Sequence, residues 1–397
     1  MLDRDKKTFL SLVAMHMLGD CYGGVWPMFK KIEEIDLAFA GLVATATIVL
    51  GQGIQPLLGI LSDHGRQRQF VVFGTALTCM TMLVGPIWLV HEGGHLSRNA
   101  TYAIMFGVML VARFGQGLFH PAGASVSGNL SHVRRSTIVA TFITFGMIGM
   151  ALSQMTMSLA YYATGGNTAW MLLPASVIVL VGAIWFRPNE HTQDHKVNWR
   201  AVYESLAPVR GQLISLYFFQ VAWAFIANGL IFLMPEFMES RGCPPWLVNG
   251  GGLVLWIGGS VLLMIVGGHI ADRIGQLLVF RWSAGIALVL YFIMLLVPMP
   301  VPTFLLILVL TGGFVGMMHP LGISLGQQLV PRHHASVVSG ILMGMAWALG
   351  SLANLIVGIL AKMPQVGITN ALVISGSVCF VGFALAFVIR GPAKAAT

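Results

Sequence analysis

Gly117-Leu118-Phe119-His120-Pro121-Ala122-Gly123-Ala124-Ser125 recurs later in the chain as Gly316-Met317-Met318-His319-Pro320-Leu321-Gly322-Ile323-Ser324. The two copies share their first glycine, the His-Pro pair, the second glycine and the final serine. The same offset carries Arg134-Arg135-Ser136-Thr137 onto His333-His334-Ala335-Ser336. A second echo joins Gly59-Ile60-Leu61-Ser62-Asp63 to Gly268-His269-Ile270-Ala271-Asp272, each closing the second apolar run of its half and followed by basic residues. The chain is therefore one unit repeated, and the repeats lie in strongly apolar surroundings.

Composition says what that unit is. Of 397 residues, 56% are hydrophobic and 9% charged, whereas a soluble domain carries about a quarter charged residues. Apolar runs of roughly 20 residues, the length that crosses a bilayer as a helix, fall near 8–28, 38–60, 69–91, 100–123, 136–163, 168–187, 212–234, 248–271, 277–297, 301–326, 335–360 and 369–390. The expected fold is an all-α polytopic membrane protein with twelve transmembrane helices in two pseudo-symmetric six-helix halves. Residues 1–187 form one half and 211–397 the other, joined by 188–210, the longest polar stretch. Parallel repeats of this kind build many secondary transporters, with the site at mid-membrane between the repeats.

Lysine and arginine set the expected orientation, because the cytoplasmic side retains positive charge. With both termini inside, the outer connections keep only Lys30, Lys31, Arg98, Arg241 and Lys362, while Arg4, Lys6, Lys7, Arg66, Arg68, Arg134, Arg135 and most others stay in the cytoplasm. The formal charge of +8 is mostly this bias and calls for no nucleic acid. Residues 1–7 lead into a retained first span and not a cleaved signal. Cys21, Cys79, Cys243 and Cys379 are scattered without metal-binding spacing. With no nucleotide loop, no H-E-x-x-H motif and no polar domain large enough for a catalytic core, the chain is not expected to be an enzyme or to carry a cofactor.

Asp20 and Arg113 are the charged residues that fall deep inside apolar runs. A charge at the bilayer centre is costly, so such residues face a cavity or each other. His16 stands one helical turn before Asp20 on the same face, and an imidazole beside a carboxylate can hold or release a proton. Arg113, Gln116 and His120 share a face of the fourth span, where Pro121 leaves the Gly117 carbonyl free. His120 and His319 serve either as functional groups or as partners for kinked backbone. Gln52 and Gln55 either line the same cavity or join helices. Tyr217, Gln220, Trp223 and Asn228 in the seventh span, with Trp347 and Asn354 in the eleventh, supply the polar anchors expected of a small-molecule site. A metal carrier using His16, Asp20, His120 and His319, and a non-transporting receptor, are the rival readings.

Gly59-x-x-x-Asp63 with Arg66 and Arg68, and Gly268-x-x-x-Asp272-Arg273-x-Gly275, resemble the loop signature of the major facilitator superfamily, and the likeness extends over nearly the whole chain. The resemblance implies that Asp63, Arg66, Asp272 and Arg273 gate the cytoplasmic side. Arg113-x-x-Gln116-Gly117 is similar to the fourth-helix pattern of proton-coupled members, which implies a coupling role for Arg113. His16-x-x-x-Asp20, Gln55-Pro56-x-x-Gly59-x-x-x-Asp63, Phe119-His120-Pro121 and Pro331 followed by Val338-Ser339-Gly340 resemble the fosmidomycin-resistance type of drug exporter. The fifth span carries Gly146 and Gly149 without the Gly-Pro element typical of antiporters. The resemblance implies a monomeric bacterial inner-membrane carrier that exports a small organic molecule in exchange for protons, with uptake by symport as the alternative.

Overall fold

The computed structural model describes residues 3–62, 65–130, 135–188, 204, 206–330 and 335–390. All regular structure among them is helical. By contacts the chain divides into two compact units, one taking in Met1–Asp194 and Pro244–Leu253, the other His195–Cys243 and Val254–Thr397.

The first unit contains α1 (Asp3–Gly23), α2 (Trp26–Ile32), α3 (Leu37–Gln52), α4 (Gln55–Ser62), α5 (Gln67–Cys79), α6 (Val84–Glu92), α7 (Arg98–Asn129), α8 (Arg135–Thr164) and α9 (Leu172–Trp185). The second contains α10 (Arg210–Ser240), α11 (Gly252–Ile274), α12 (Gln276–Leu296), α13 (Val301–Gln328), α14 (Ala335–Gly340), α15 (Ala346–Gly350), α16 (Leu352–Lys362), α17 (Gly367–Gly376) and α18 (Val378–Val388). Merged across short breaks, these make eleven helices long and apolar enough to cross a membrane among the described residues. The expected first run, 8–28, is α1 and α2, broken after Gly23. Asp3, Arg4, Asp5, Lys6, Lys7 and Asp20 within α1 keep it more polar than the rest.

Side chains close the helix starts. Asp36 accepts a hydrogen bond from the Phe39 amide at 3.0 Å before α3, and Ser97 accepts one from Ala100 before α7, each satisfying an amide that the first turn leaves without a partner. Both Pro121 and Pro320 lie inside their helices, which continue through them. Proline costs less here than in a short helix because packed neighbours hold the segment on both sides.

Between apolar helices in a membrane there is little hydrophobic driving force, so close van der Waals packing over small residues must supply the association. The repeated motif opens with the glycine that does this. A Cβ on Gly117 of α7 would collide with the Gly51 carbonyl of α3, and one on Gly316 of α13 would lie 2.8 Å from Ser260 Cα of α11. Gly117→Ala is therefore expected to cost about 1–3 kcal/mol through overpacking. Gly107→Ala, on the same helix with nothing within 4 Å of the added carbon, should be neutral or stabilising because alanine favours helix. Thermal unfolding of the two variants in detergent checks this, and equal melting temperatures would contradict the packing argument.

Candidate functional site

Three helices of the first unit, α1, α7 and α8, pack on one another and meet around Asp20. His16 Nε2 stands 3.2 Å from Asp20 Oδ2 on α1. From α7, His120 Nε2 stands 3.4 Å from Asp20 Oδ1. The side chains of His16, Asp20 and His120 are 5%, 17% and 29% exposed, so the cluster is closed at His16 and open at His120.

The environment of His16 decides what the cluster can do. Its Nδ1 lies 2.8 Å from the Phe142 carbonyl of α8, an atom that can only accept. Nδ1 therefore carries the hydrogen, and in the neutral ring Nε2 is a bare lone pair. That lone pair faces the Asp20 carboxylate, itself an acceptor. Two acceptors this close repel unless a positive particle lies between them. The ring cannot turn away, because it stacks on Phe142 with centroids 4.0 Å apart and leans on Phe119 at 5.3 Å. These two phenylalanines belong to a buried core with Leu12, Met15, Val71, Ala122, Val126 and Phe186. His120, edge-on to His16 at 5.3 Å, can present either tautomer to Asp20.

Gly146 of α8 packs directly against this contact. A Cβ there would lie 2.5 Å from His16 Nε2 and 2.7 Å from Asp20 Oδ2, closer than real side-chain carbons come. The missing side chain at Gly146 is what lets α8 approach the pair this closely.

Arg113 interacts electrostatically with Asp20, but the hydrogen-bonded neighbours of Asp20 are the two histidines. Arg113 Nη1 instead donates to Gln116 Oε1 at 2.6 Å, and its Nε is buried without a partner. Gln116 is itself buried and lies against Gly23 of α1. Gln52 is buried at the end of α3 and Gln55 half-buried at the start of α4, separated by the break between those helices.

In the second unit, Gln220 donates to the His319 carbonyl at 3.0 Å, and Tyr217 to the Met345 carbonyl at 3.4 Å. Trp223 is buried with Nε1 lacking a partner. Asn228 is bonded back to the Ala224 carbonyl of its own helix at 2.9 Å. Asn354 is buried and Trp347 half-buried. Of the residues expected to gate, Asp63 lies outside the described residues, and Arg66, Asp272 and Arg273 are exposed at helix ends. Among the described residues, two further charged residues are buried, each near a helix end. Lys30 is 1% exposed and Glu236 7%, the latter because α10 runs past the expected edge at 234 to Ser240.

Sequence reasoning missed the Phe142 carbonyl and the role of Gly146. A backbone acceptor leaves no trace in residue type, and Gly146 and Gly149 enter the sequence reading only against the Gly-Pro element of antiporters.

A comparison with curated proteins finds no match. Solved structures show the same fold. The nucleoside transporter NupG is 16% identical over 96% of this chain and 98% of its own, with a TM-score of 0.72. A bacterial homologue of the human lysosomal transporter Spinster, inward-facing and unoccupied, is 12% identical over 98% and 97%, with a TM-score of 0.73. The E. coli fucose:proton symporter FucP is 14% identical over 96% and 98%, with a TM-score of 0.62. The sequence profile of the Major Facilitator Superfamily matches residues 8–355. On that span and that fold, this multi-pass membrane protein belongs to the Major Facilitator Superfamily, whose members are secondary transporters of small molecules and not enzymes.

Proposed function

We propose that the chain is a proton-coupled secondary transporter of a small organic solute, with His16, Asp20 and His120 as its proton-binding unit. One observation carries this reading: His16 faces an oxygen acceptor at each ring nitrogen, so the pair it makes with Asp20 is complete only when it holds a proton. Arg113 is the cation that senses whether Asp20 is charged. When the proton leaves, the uncovered carboxylate draws on Arg113, whose hold on Gln116 must then change. Arg113 has a buried donor to spare at Nε, and a planar guanidinium suits an acceptor group on a solute. The other solute contacts we assign are Gln116 with Gln52 and Gln55 in the first unit, and Tyr217, Gln220, Trp223, Asn228, His319, Trp347 and Asn354 in the second.

Uptake by symport is the direction we favour, supported by the names of two proteins of like fold, a fucose:proton symporter and a nucleoside transporter. Export by antiport is the second reading, supported by the resemblance around Phe119-His120-Pro121. The Lys and Arg distribution supports cytoplasmic termini in a bacterial inner membrane, and the carrier is proposed to act as a monomer. The test is solute flux in proteoliposomes under an imposed pH gradient, with candidate solutes first chosen by ligand-induced thermal shift. Accumulation on the alkaline side supports symport and accumulation on the acidic side supports antiport. Flux indifferent to the gradient overturns proton coupling.

A further inference from the structure

A geometry that requires a positive particle between fixed acceptors need not be limited to protons. His16 Nε2, a carboxylate oxygen of Asp20 and a nitrogen of His120 all lie within 4.8 Å of one another. The two closest separations are 3.2 and 3.4 Å. Ligands held about 2.0 Å from a tetrahedral zinc ion stand about 3.3 Å apart. The two imidazoles stand at that spacing from opposite oxygens of Asp20, so the carboxylate lies between them and modest side-chain adjustment brings one nitrogen of each ring and a carboxylate oxygen onto one ion.

Two further features fit a metal. Two imidazoles and one carboxylate form a set suited to borderline divalent d-block ions, and leave a coordination position open. The Phe142 carbonyl holds the Nδ1 hydrogen of His16 at 2.8 Å, which points the Nε2 lone pair at the cluster in the manner of an outer-shell partner of a metal ligand. The opposing feature is Arg113, whose charge acts on Asp20 and weakens attraction for any cation. Its guanidinium is bonded to Gln116 and not to the carboxylate, so both Asp20 oxygens remain available.

We propose that His16, Asp20 and His120 bind a divalent d-block cation such as Zn2+, and that the bound ion arrests the carrier. Binding rests on the geometry alone, and the arrest rests on the reading of the same cluster as the proton-binding unit. A metal held by His16, Asp20 and His120 takes the proton's place, so the cluster can no longer load and release protons.

The test uses purified, untagged, full-length protein titrated with Co2+, whose visible absorption is intense in four- or five-coordinate sites and weak in six-coordinate water-like ones. The expected result is one intense-band Co2+ per chain, displaced by Zn2+. Asp20→Asn and His120→Gln should each weaken that binding more than tenfold, while His319→Gln, in the other unit, should leave it unchanged. X-ray absorption on the wild type counts two imidazoles per ion even if a ligand variant does not fold. Weak bands only, or intense bands that persist in His120→Gln, would overturn the site. In proteoliposomes, Zn2+ at its measured dissociation constant should halve flux, and full flux with the site occupied would overturn the arrest. pH-driven flux without the Co2+ signature refutes this inference and leaves proton coupling standing. The signature without pH-driven flux does the reverse.

Discussion

Asp20→Asn is expected to abolish flux driven by a pH gradient, by about 10²-fold or more, the factor a positioned proton-transfer group commonly contributes. Solute binding and solute-for-solute exchange should partly survive. An asparagine preserves the shape and can still donate to His16 Nε2 or accept from His120, so the cluster stays filled, but it holds no exchangeable proton. The neutral amide also removes the charge that acts on Arg113. The carrier is then fixed in its proton-loaded electrostatic state, and coupling is lost while the route for solute remains. The measurement is a pair of assays on the same proteoliposomes, one with a pH gradient and one with solute alone on both sides. Normal gradient-driven flux in the variant would remove Asp20 from the coupling mechanism.

Gly146→Ala should be nearly as damaging, though it changes neither charge nor hydrogen-bonding groups. The added carbon would sit 2.5 Å from His16 Nε2, and that ring is held on its far side by the Phe142 carbonyl and ring. Either α8 moves away from α1 or His16 gives up its contact with Asp20. The first outcome costs about 1–3 kcal/mol of packing and lowers the melting temperature. The second leaves stability nearly intact and removes gradient-driven flux. Both predict at least a tenfold loss of flux, and the melting temperature separates them. Wild-type flux with an unchanged melting temperature would show that the close approach of α8 to the cluster has no function.

Much of this protein was legible in one dimension. Helices in a bilayer are selected by hydrophobic length, a local property, so the all-helical membrane fold could be read directly from the residues. His16 and Asp20 also paired as expected, because an i,i+4 spacing on a helix fixes proximity whatever the helix packs against. Helix ends were less legible. The run ending at 234 omitted Glu236, since a carboxylate resembles a boundary until packing shows it buried.

The completed cluster was decided only in three dimensions. His120 approaches Asp20 from α7, and the sequence repeats the His-Pro pair without showing which copy meets a carboxylate. That depends on how α7 is rotated and how closely it sits against α1, both set by contacts between residues far apart in the chain. The Phe142 carbonyl fixes the His16 tautomer, yet every residue has such a carbonyl. Gly146 matters for the atoms it lacks, and an absence acquires meaning only from what stands opposite. Residue types and spacing determined a membrane carrier with a carboxylate and an imidazole on one helical face; helix packing decided that His120 joins them in a three-residue cluster.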